Sequence, residues 1–90
     1  MIETASHMDE AQVRTDVVVH ELRPLDQLPI AMFEHTLYVS DGVLDVVLED
    51  EELALIAGDQ IGLRRGELRR AWNAGDEIAR VVVATRTPHH

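Results

Sequence analysis

The stretch GDQIGLRRGELRRAWN, residues 58–73, decides the fold class of this chain. Gly58 and Gly66 stand at its start and near its centre, and Asn73 closes it. Turns favour these residue types because both tolerate backbone conformations that most side chains avoid. Only short runs lie between them, too brief for typical helices, so the stretch predicts two β-strands joined by a turn at Gly66.

The pattern of short apolar runs separated by turn residues continues in both directions. β-Branched residues concentrate in the runs, helical periodicity is weak, and residues 41–42 (Asp-Gly) and 73–76 (Asn-Ala-Gly-Asp) are turn signals. Gly75 is able to adopt a positive φ in the second of these turns. About seven short strands of this kind indicate an all-β sandwich or barrel rather than a parallel sheet. The predicted strands cover residues 13–20, 30–40, 43–48, 52–57, 60–64, 67–72 and 78–86.

Length and composition indicate a single globular domain. The chain has 90 residues, of which 46% are hydrophobic and 28% charged, and it lacks any run of about 18 apolar residues. We assign residues 13–87 to the domain. Residues 1–12 are expected to be a flexible segment and 88–90 a tail, because Ser-His-Met at 6–8 resembles a cloning junction and the terminal histidines resemble a purification tag.

The charge of the chain argues against nucleic-acid and membrane partners. The formal net charge is −9, and all 8 basic residues are arginines. Phosphate backbones and anionic membrane surfaces repel such a chain. The acidic run at residues 49–52 is expected to be a solvated hairpin tip. We therefore expect a small-molecule partner, with no nucleic acid and no membrane.

Two absences in the sequence limit the chemistry and the location. The chain contains no cysteine, which removes disulfides, thiolate metal sites and thiol nucleophiles. Its first residues lack the charged and then apolar pattern of a signal peptide, so a cytoplasmic location is expected.

The spacing of the turn residues resembles that of the cupin superfamily. The second cupin motif is commonly written G-x5-P-x-G-x2-H-x3-N, and Gly58, Gly66 and Asn73 stand at its three turn positions. Arg64 replaces the proline of the motif, and Arg69 replaces its metal-binding histidine. The resemblance covers roughly residues 30–86 and implies a small, single-domain jelly-roll β-barrel.

The first cupin motif, G-x5-H-x-H-x3-4-E-x6-G, is matched only at its end. Gly42 is its terminal glycine, which puts His35 at the position of the metal-binding glutamate. Pro29 and Ala31 occupy the positions of its two histidines, and neither side chain can bind a metal. The resemblance therefore implies a metal-free barrel without a cofactor. One alternative stays open, in which His35, His20 and a carboxylate outside the motifs hold a metal.

Cupin geometry implies which side chains point into the barrel. The motif ligands of the family point inward, and strand alternation extends that orientation to second neighbours. His35 and Arg69 should therefore face the interior together, on two different strands. The same reasoning places other side chains inside and makes them candidate ligand-binding residues: Phe33, Ala71 and Asn73, with His20 as a further candidate near the mouth.

Arg69 and His35 carry the candidate chemistry. The planar guanidinium of Arg69 suits a carboxylate or phosphate and could turn a metal site into an anion site, but pairing with one of the protein's own carboxylates is an open alternative. His35 is the candidate general acid or base, because imidazole exchanges protons near neutral pH. A hydrogen-bonded structural histidine is the alternative.

These residues support two main functional hypotheses. The first is a metal-free binding module for a small anionic or polar metabolite. The second is an enzyme of the cyclase, isomerase or lyase kind, with His35 as acid or base and Arg69 orienting the substrate. A metal-dependent oxygenase or decarboxylase is a third. A homodimer is expected, because a small barrel buries a limited core, an exposed first strand invites pairing, and Trp72 and Tyr38 should face outward.

Overall fold

The computed structural model describes residues 13–88, which form seven strands and no helix. The all-β prediction is confirmed, whereas the predictions for residues 1–12 and 89–90 lie outside the described residues. No helix in the described part of the chain has the length and hydropathy needed to cross a membrane. The strands are β1 (Val13–Leu22), β2 (His35–Asp41), β3 (Val43–Val47), β4 (Glu52–Ile56), β5 (Gln60–Leu63), β6 (Arg70–Trp72) and β7 (Ala79–Pro88).

The strands form two antiparallel sheets that face each other. The larger sheet has the order β1-β7-β2-β5, and the smaller has the order β4-β3-β6. β7 is central to the larger sheet, where it pairs with all of β1 on one side and with β2 on the other. An isolated bridge between Gln27 and Trp72 adds one contact at the β6 edge of the smaller sheet.

The core lies between the sheets and follows strand alternation. On β2, the buried residues are His35, Leu37 and Val39, whereas Tyr38 between them is exposed. On β6, Ala71 is buried and the Trp72 ring faces outward, with the Arg70 guanidinium 4.4 Å from its centre. The outward orientation predicted for Tyr38 and Trp72 is therefore confirmed. The largest fully buried side chains are Leu37, Val39, Leu44, Val46, Leu63, Asn73 and Val81.

Two strands begin three or more residues later than the sequence predicts. β2 starts at His35 rather than at Ile30, because residues 30–34 after Pro29 form an irregular connection. β6 starts at Arg70 rather than at residue 67, because residues 64–67 close a turn on themselves. The backbone N–H of Glu67 donates to the Arg64 carbonyl at 3.1 Å, and the Arg64 N–H donates to the Glu67 carboxylate at 2.9 Å.

The glycines of the two motifs occupy left-handed turn positions. Gly42, Gly58 and Gly66 have φ values of 82°, 97° and 78°, which favour glycine over residues with a Cβ atom. Gly75 does not use its ability to adopt a positive φ. Its N–H instead donates to the side-chain oxygen of Asn73 at 2.9 Å, so an asparagine side chain closes that turn.

An arginine clamps the outer face of the larger sheet. Arg80 on β7 donates to Glu21 on β1 at 2.8 Å and to Asp41 on β2 at 3.2 Å. The hydrogen bond to Glu21, followed by the charges of Glu21 and Asp41, raises the pKa of Arg80. Three neighbouring strands are thus cross-linked on the side away from the core.

Candidate functional site

One end of the barrel holds three of the six predicted site residues, namely His35, Phe33 and Arg69. His35 opens β2 and pairs with Leu63, the last residue of β5, so the turn at residues 64–67 follows at this end. The Arg69 N–H donates to the Val47 carbonyl at 2.9 Å, which adds the tip of the β3–β4 hairpin. We call this region, where β2 begins and β5 and β3 finish, the His35 end.

His35 presents an unpartnered nitrogen inside the barrel. Its side chain is buried, with 3% of its surface exposed, and Nδ1 lies 2.8 Å from the Phe33 carbonyl oxygen. Because a carbonyl only accepts hydrogen bonds, Nδ1 carries the proton in this contact. Nε2 of the neutral ring therefore has a free lone pair. Among the described residues, Nε2 is the one buried side-chain nitrogen or oxygen atom without a hydrogen-bond partner.

An apolar segment lies beside His35 in the chain. Ile30, Met32 and Phe33 are all exposed, although each has a large hydrophobic side chain. The prediction that Phe33 lies on the inward face of β2 is wrong, because β2 begins two residues later and the irregular connection leaves this ring outside. The Phe33 carbonyl nevertheless orients the His35 ring, and the exposed segment forms an apolar rim at the His35 end.

Arg69 also lies at the His35 end but on the outside of the barrel. Its side chain is 57% exposed, and its nearest carboxylate is that of Glu49 at 3.9 Å. The prediction of an inward Arg69 is wrong, because the residue precedes β6 and strand alternation does not extend to it. The structure instead pairs Arg69 with Glu49, one of the protein's own carboxylates, which is the alternative that the sequence left open. Binding of an anionic ligand by Arg69 stays a prediction.

Asn73 lies inside the barrel but at the opposite end from His35. Its side-chain amide donates to the Leu22 carbonyl at 2.9 Å and to the Glu77 carbonyl at 2.7 Å, and its oxygen accepts from Gly75. The inward orientation is therefore confirmed. Both amide N–H groups are already used, so Asn73 joins the end of β1 to the turn before β7 and has no free donor for a ligand.

Ala71 and His20 take intermediate positions. Ala71 is buried on β6 opposite Val46, so it lines the interior as predicted. His20 is half-buried on β1 opposite Val81, whose other neighbour is Val39, so it shares the inner face of the larger sheet. The two histidines lie on the same face of that sheet but far apart along it. His35 pairs with Thr85 of β7, whereas His20 pairs with Val81, four positions earlier on the same strand. Ligand binding by Ala71 or His20 stays a prediction.

The residues at the motif positions do not fit the metal that the cupin motifs usually bind. His35 Nε2 is a suitable nitrogen donor, yet the other three ligand positions of the motifs hold Pro29, Ala31 and the exposed Arg69. Within residues 13–88, no three His, Cys, Asp or Glu side chains converge on one point. A protein-held metal needs about three such ligands, so the described residues do not fit a metal site of this kind.

Two open grooves lie at the His35 end. One of about 400 Å³ is lined by residues 47–52, of which residues 49–52 form the exposed, acidic hairpin tip that the sequence predicts. The other, of about 370 Å³, lies between Glu49 and residues 64–67. The charged residues that line the first groove are all acidic, whereas the second is lined by arginines and glutamates, and neither groove is lined by His35. The concave surface of this end is thus polar, whereas the interior behind it is apolar.

Solved structures of cupin proteins share this fold. The chain aligns with a cupin-2 domain protein of Shewanella frigidimarina at 13% identity and a TM-score of 0.63, covering 83% of this chain and 71% of the other. A cupin 2 conserved barrel protein of Salinispora arenicola aligns at 18% identity and a TM-score of 0.68, covering 79% and 62%. The polyketide cyclase RemF of Streptomyces resistomycificus aligns at 24% identity and a TM-score of 0.68, covering 93% and 60%.

The fold is therefore the small cupin-type jelly roll that the glycine spacing predicts. No protein-family model matches the sequence, and no curated protein matches it. The chain spans about three fifths of the Salinispora and Streptomyces proteins. At these identities the likeness concerns the fold alone.

Proposed function

We propose that this protein binds a small polar molecule at the His35 end of the barrel, with Nε2 of His35 as the acceptor that fixes its orientation. The unpartnered, buried Nε2 atom carries this proposal. Leaving a buried polar atom without a partner costs about 1–3 kcal/mol, so such atoms are rare without a reason. A ligand that donates a hydrogen bond removes this penalty.

The tautomer of His35 defines the chemistry of the ligand. With the proton on Nδ1, held by the Phe33 carbonyl, Nε2 accepts and does not donate. The ligand therefore presents a hydroxyl or N–H group to His35. The apolar rim of Ile30, Met32 and Phe33 favours a ligand with an apolar body behind that donor. A hydroxylated ring meets both requirements better than a small inorganic anion does.

The second candidate is an enzyme in which the same lone pair accepts a proton from carbon. A neutral imidazole nitrogen, buried and held in one tautomer, is suited to act as a general base. The polyketide cyclase of the same fold is one enzyme to which the chain is similar. The cyclase, isomerase or lyase hypothesis thus uses His35 as the sequence proposes, but without an inward Arg69 to hold the substrate.

Replacing His35 by leucine is expected to leave the free energy of unfolding within about 1 kcal/mol of the wild-type value. The change loses the bond from Nδ1 to the Phe33 carbonyl but also removes the unsatisfied Nε2, and the volumes are similar. Urea denaturation measures the difference. A loss of about 3 kcal/mol or more would instead identify a purely structural histidine.

Binding is tested with phenol, which has an apolar ring and one hydroxyl donor. We expect saturable binding to the wild-type protein, followed by NMR of the His35 ring, and about tenfold weaker binding to His35→Leu, which is the value of one buried hydrogen bond. Thr36→Val is the matched control, because Thr36 neighbours His35 on β2 but lies on the other face. Equal phenol affinity in all three proteins would remove His35 from the site.

Arg69→Leu distinguishes ligand binding through His35 from anion binding through Arg69. If Nε2 fixes the ligand, phenol affinity is unchanged, because the Arg69 side chain lies outside the barrel. Benzoate tests the anion hypothesis in the same way. A loss of benzoate affinity in Arg69→Leu, with phenol affinity retained, would restore Arg69 as an anion-binding residue.

Proton abstraction separates the enzyme from the binding module. We expect the wild-type protein to exchange the α-protons of cyclohexanone with D₂O faster than His35→Leu does, if His35 acts as a base. If both proteins leave the exchange rate at its value in buffer alone, and phenol still binds to the wild-type protein, the result would support a binding module rather than an enzyme. NMR integration of the α-proton signal measures both rates.

Elemental analysis tests the metal-free part of the proposal. We expect less than about one tenth of an equivalent of Fe, Mn, Ni or Zn in protein purified without chelators, because the described residues offer one good donor rather than three. A stoichiometric metal that is lost in His35→Leu would contradict this expectation. It would also show that His35 recruits ligands from elsewhere.

A further inference from the structure

Three polar residues on neighbouring strands form one row across the inner face of the larger sheet. His35 of β2 pairs with Thr85 of β7, and Thr85 pairs with Asp16 of β1. Strand alternation places Thr85 on the inner face, in phase with the buried Val83. Alternation likewise places Asp16 on that face, in phase with the buried Leu22. The three side chains therefore share the inner face at the His35 end, and we call them the polar row.

Backbone hydrogen bonding defines the spacing within the polar row. The Arg86 N–H donates to the Glu34 carbonyl at 2.9 Å, so the next pair along the strands, His35 and Thr85, is a non-hydrogen-bonded pair. The Cα atoms of such a pair lie about 4.5 Å apart, and its side chains are the closer kind. The pair of Thr85 and Asp16 then has the other spacing, about 5.5 Å, so the row spans about 10 Å.

The polar row opens from the buried interior towards solvent. His35 is 3% exposed, Thr85 is half-buried, and the Asp16 side chain is 48% exposed. Val18, the next inward residue of β1, is 49% exposed, so the smaller sheet leaves this part of the inner face uncovered. The β1 side therefore offers an approach to the row, with an apolar wall at Val18.

The two ends of the polar row suit different ligand groups. Nε2 of His35 accepts a hydrogen bond, because Nδ1 carries the proton. The carboxylate of Asp16 also accepts, and its negative charge favours an ammonium group. The Thr85 hydroxyl between them donates or accepts, so it suits either group. The formal net charge of −9 also attracts a cation rather than an anion.

Arg14 is the group that competes for Asp16. One nitrogen of its guanidinium lies 3.4 Å from Oδ2 of Asp16, and the two side chains are 69% and 48% exposed. An exposed ion pair of this kind contributes little to stability. The contact uses Oδ2, so Oδ1 is able to accept from a second donor. An ammonium group can thus bind beside Arg14 or in its place.

We propose that the ligand of this protein is a cationic hydroxy-amine, with its hydroxyl on Nε2 of His35, its ammonium group on Asp16 and Thr85 between them. The His35 anchor rests on the proposed function, and Asp16 adds a second anchor and a charge. A hydroxylated six-membered ring with a two-carbon amine arm suits a row of about 10 Å. Its apolar carbons then lie against Val18.

Tyramine, para-ethylphenol and phenethylamine test the two anchors separately, because each of the last two lacks one polar group of the first. Isothermal titration calorimetry of the wild-type protein is expected to give about tenfold tighter binding of tyramine than of para-ethylphenol, since one charge-assisted hydrogen bond is added. Phenethylamine lacks the hydroxyl and should bind at least about tenfold more weakly than tyramine.

Substitutions along the row identify the ammonium anchor. Asp16→Asn should remove the advantage of tyramine over para-ethylphenol and leave para-ethylphenol affinity unchanged. Asp45→Asn is the matched control, because it removes the same charge from the outer face of β3, and it should keep the advantage. Thr85→Val should weaken tyramine binding about threefold. Arg14→Gln should strengthen it about threefold, because the competing cation is gone.

The outcomes separate the second anchor from the proposed function. If para-ethylphenol binds through His35 but tyramine binds no more tightly, or if Asp16→Asn behaves as Asp45→Asn does, the hydroxy-amine is wrong and the proposed function stands. If His35→Leu leaves the affinity for all three ligands unchanged, both are wrong. Tyramine binding that depends on Asp16 but not on His35 would show that the row is not one site. Circular dichroism establishes that each variant is folded, and the ligand series on the wild-type protein needs no variant.

Discussion

Replacing Asn73 by alanine is expected to lower the free energy of unfolding by about 3–5 kcal/mol. The side chain is fully buried, and both of its N–H groups and its oxygen are used. Alanine leaves the Leu22 carbonyl, the Glu77 carbonyl and the Gly75 N–H without these partners. Each unsatisfied buried group costs about 1–3 kcal/mol, so the sum is a large part of the stability of a small domain.

The backbone of Asn73 enlarges this effect. Its carbonyl accepts from the Leu25 N–H at 2.8 Å, and its N–H donates to the Asp26 carbonyl at 3.0 Å. Leu25 has a φ of 73°, a conformation that costs a residue with a Cβ atom about 1–2 kcal/mol. Asn73 thus stabilises the strained connection after β1 as well as the turn before β7. Loss of its side-chain hydrogen bonds is therefore expected to destabilise both segments.

Glu77→Ala is the matched control for the asparagine. Asn73 contacts Glu77 through the backbone carbonyl alone, so removing that exposed carboxylate is expected to change stability by less than about 0.5 kcal/mol. Urea denaturation measures both variants. An Asn73→Ala protein as stable as Glu77→Ala, but with weaker phenol binding, would show that Asn73 serves a ligand rather than the fold.

The turn residues were the predictable part of this fold. Gly42, Gly58 and Gly66 adopt positive φ values, and a conformation of this kind strongly restricts the residue type. Spacing between such residues therefore carries information about topology even when the ligands between them are changed. Asn73 was predictable as an inward residue from its position in the second motif, although its role is structural.

The candidate site was less predictable, because it depends on where strands begin. The inward orientation of His35, Leu37 and Val39 follows from alternation within β2. Phe33 and Arg69 lie just before β2 and β6, and alternation says nothing about side chains outside a strand. The closed turn after Arg64 explains the late start of β6. Gly66 predicted the turn, but not that the side chain of Glu67 would close it and delay the strand.

The chemistry at His35 needed atomic contacts. From sequence, an inward histidine could be a satisfied structural residue or an acid or base. The contact between Nδ1 and the Phe33 carbonyl satisfies one nitrogen and leaves the other with a free lone pair. Which nitrogen is free depends on the irregular path of residues 30–34, a feature that no periodic pattern encodes.

Gly42→Ala is expected to destabilise the protein by about 3 kcal/mol or more, through two separable causes. The φ of 82° is unfavourable for alanine. A Cβ atom at this position would also lie 2.8 Å from the Cα atom of Ala79 and 3.0 Å from the Ile78 carbonyl oxygen. These are backbone atoms at the start of β7, so relief requires the corner between β2 and β3 to separate from the central strand.

Two other glycines separate these causes. Gly58 has a φ of 97° but open space around a Cβ atom, so Gly58→Ala should cost only the backbone strain, about 1–2 kcal/mol. Gly62 has neither a positive φ nor a neighbour within 4 Å, so Gly62→Ala should be neutral or stabilising by about 0.5 kcal/mol. Urea denaturation of the three variants should therefore rank them Gly62, Gly58, Gly42 in increasing loss. Equal losses at Gly42 and Gly58 would mean that β7 yields to the new methyl group, and that the corner is held by its turn alone.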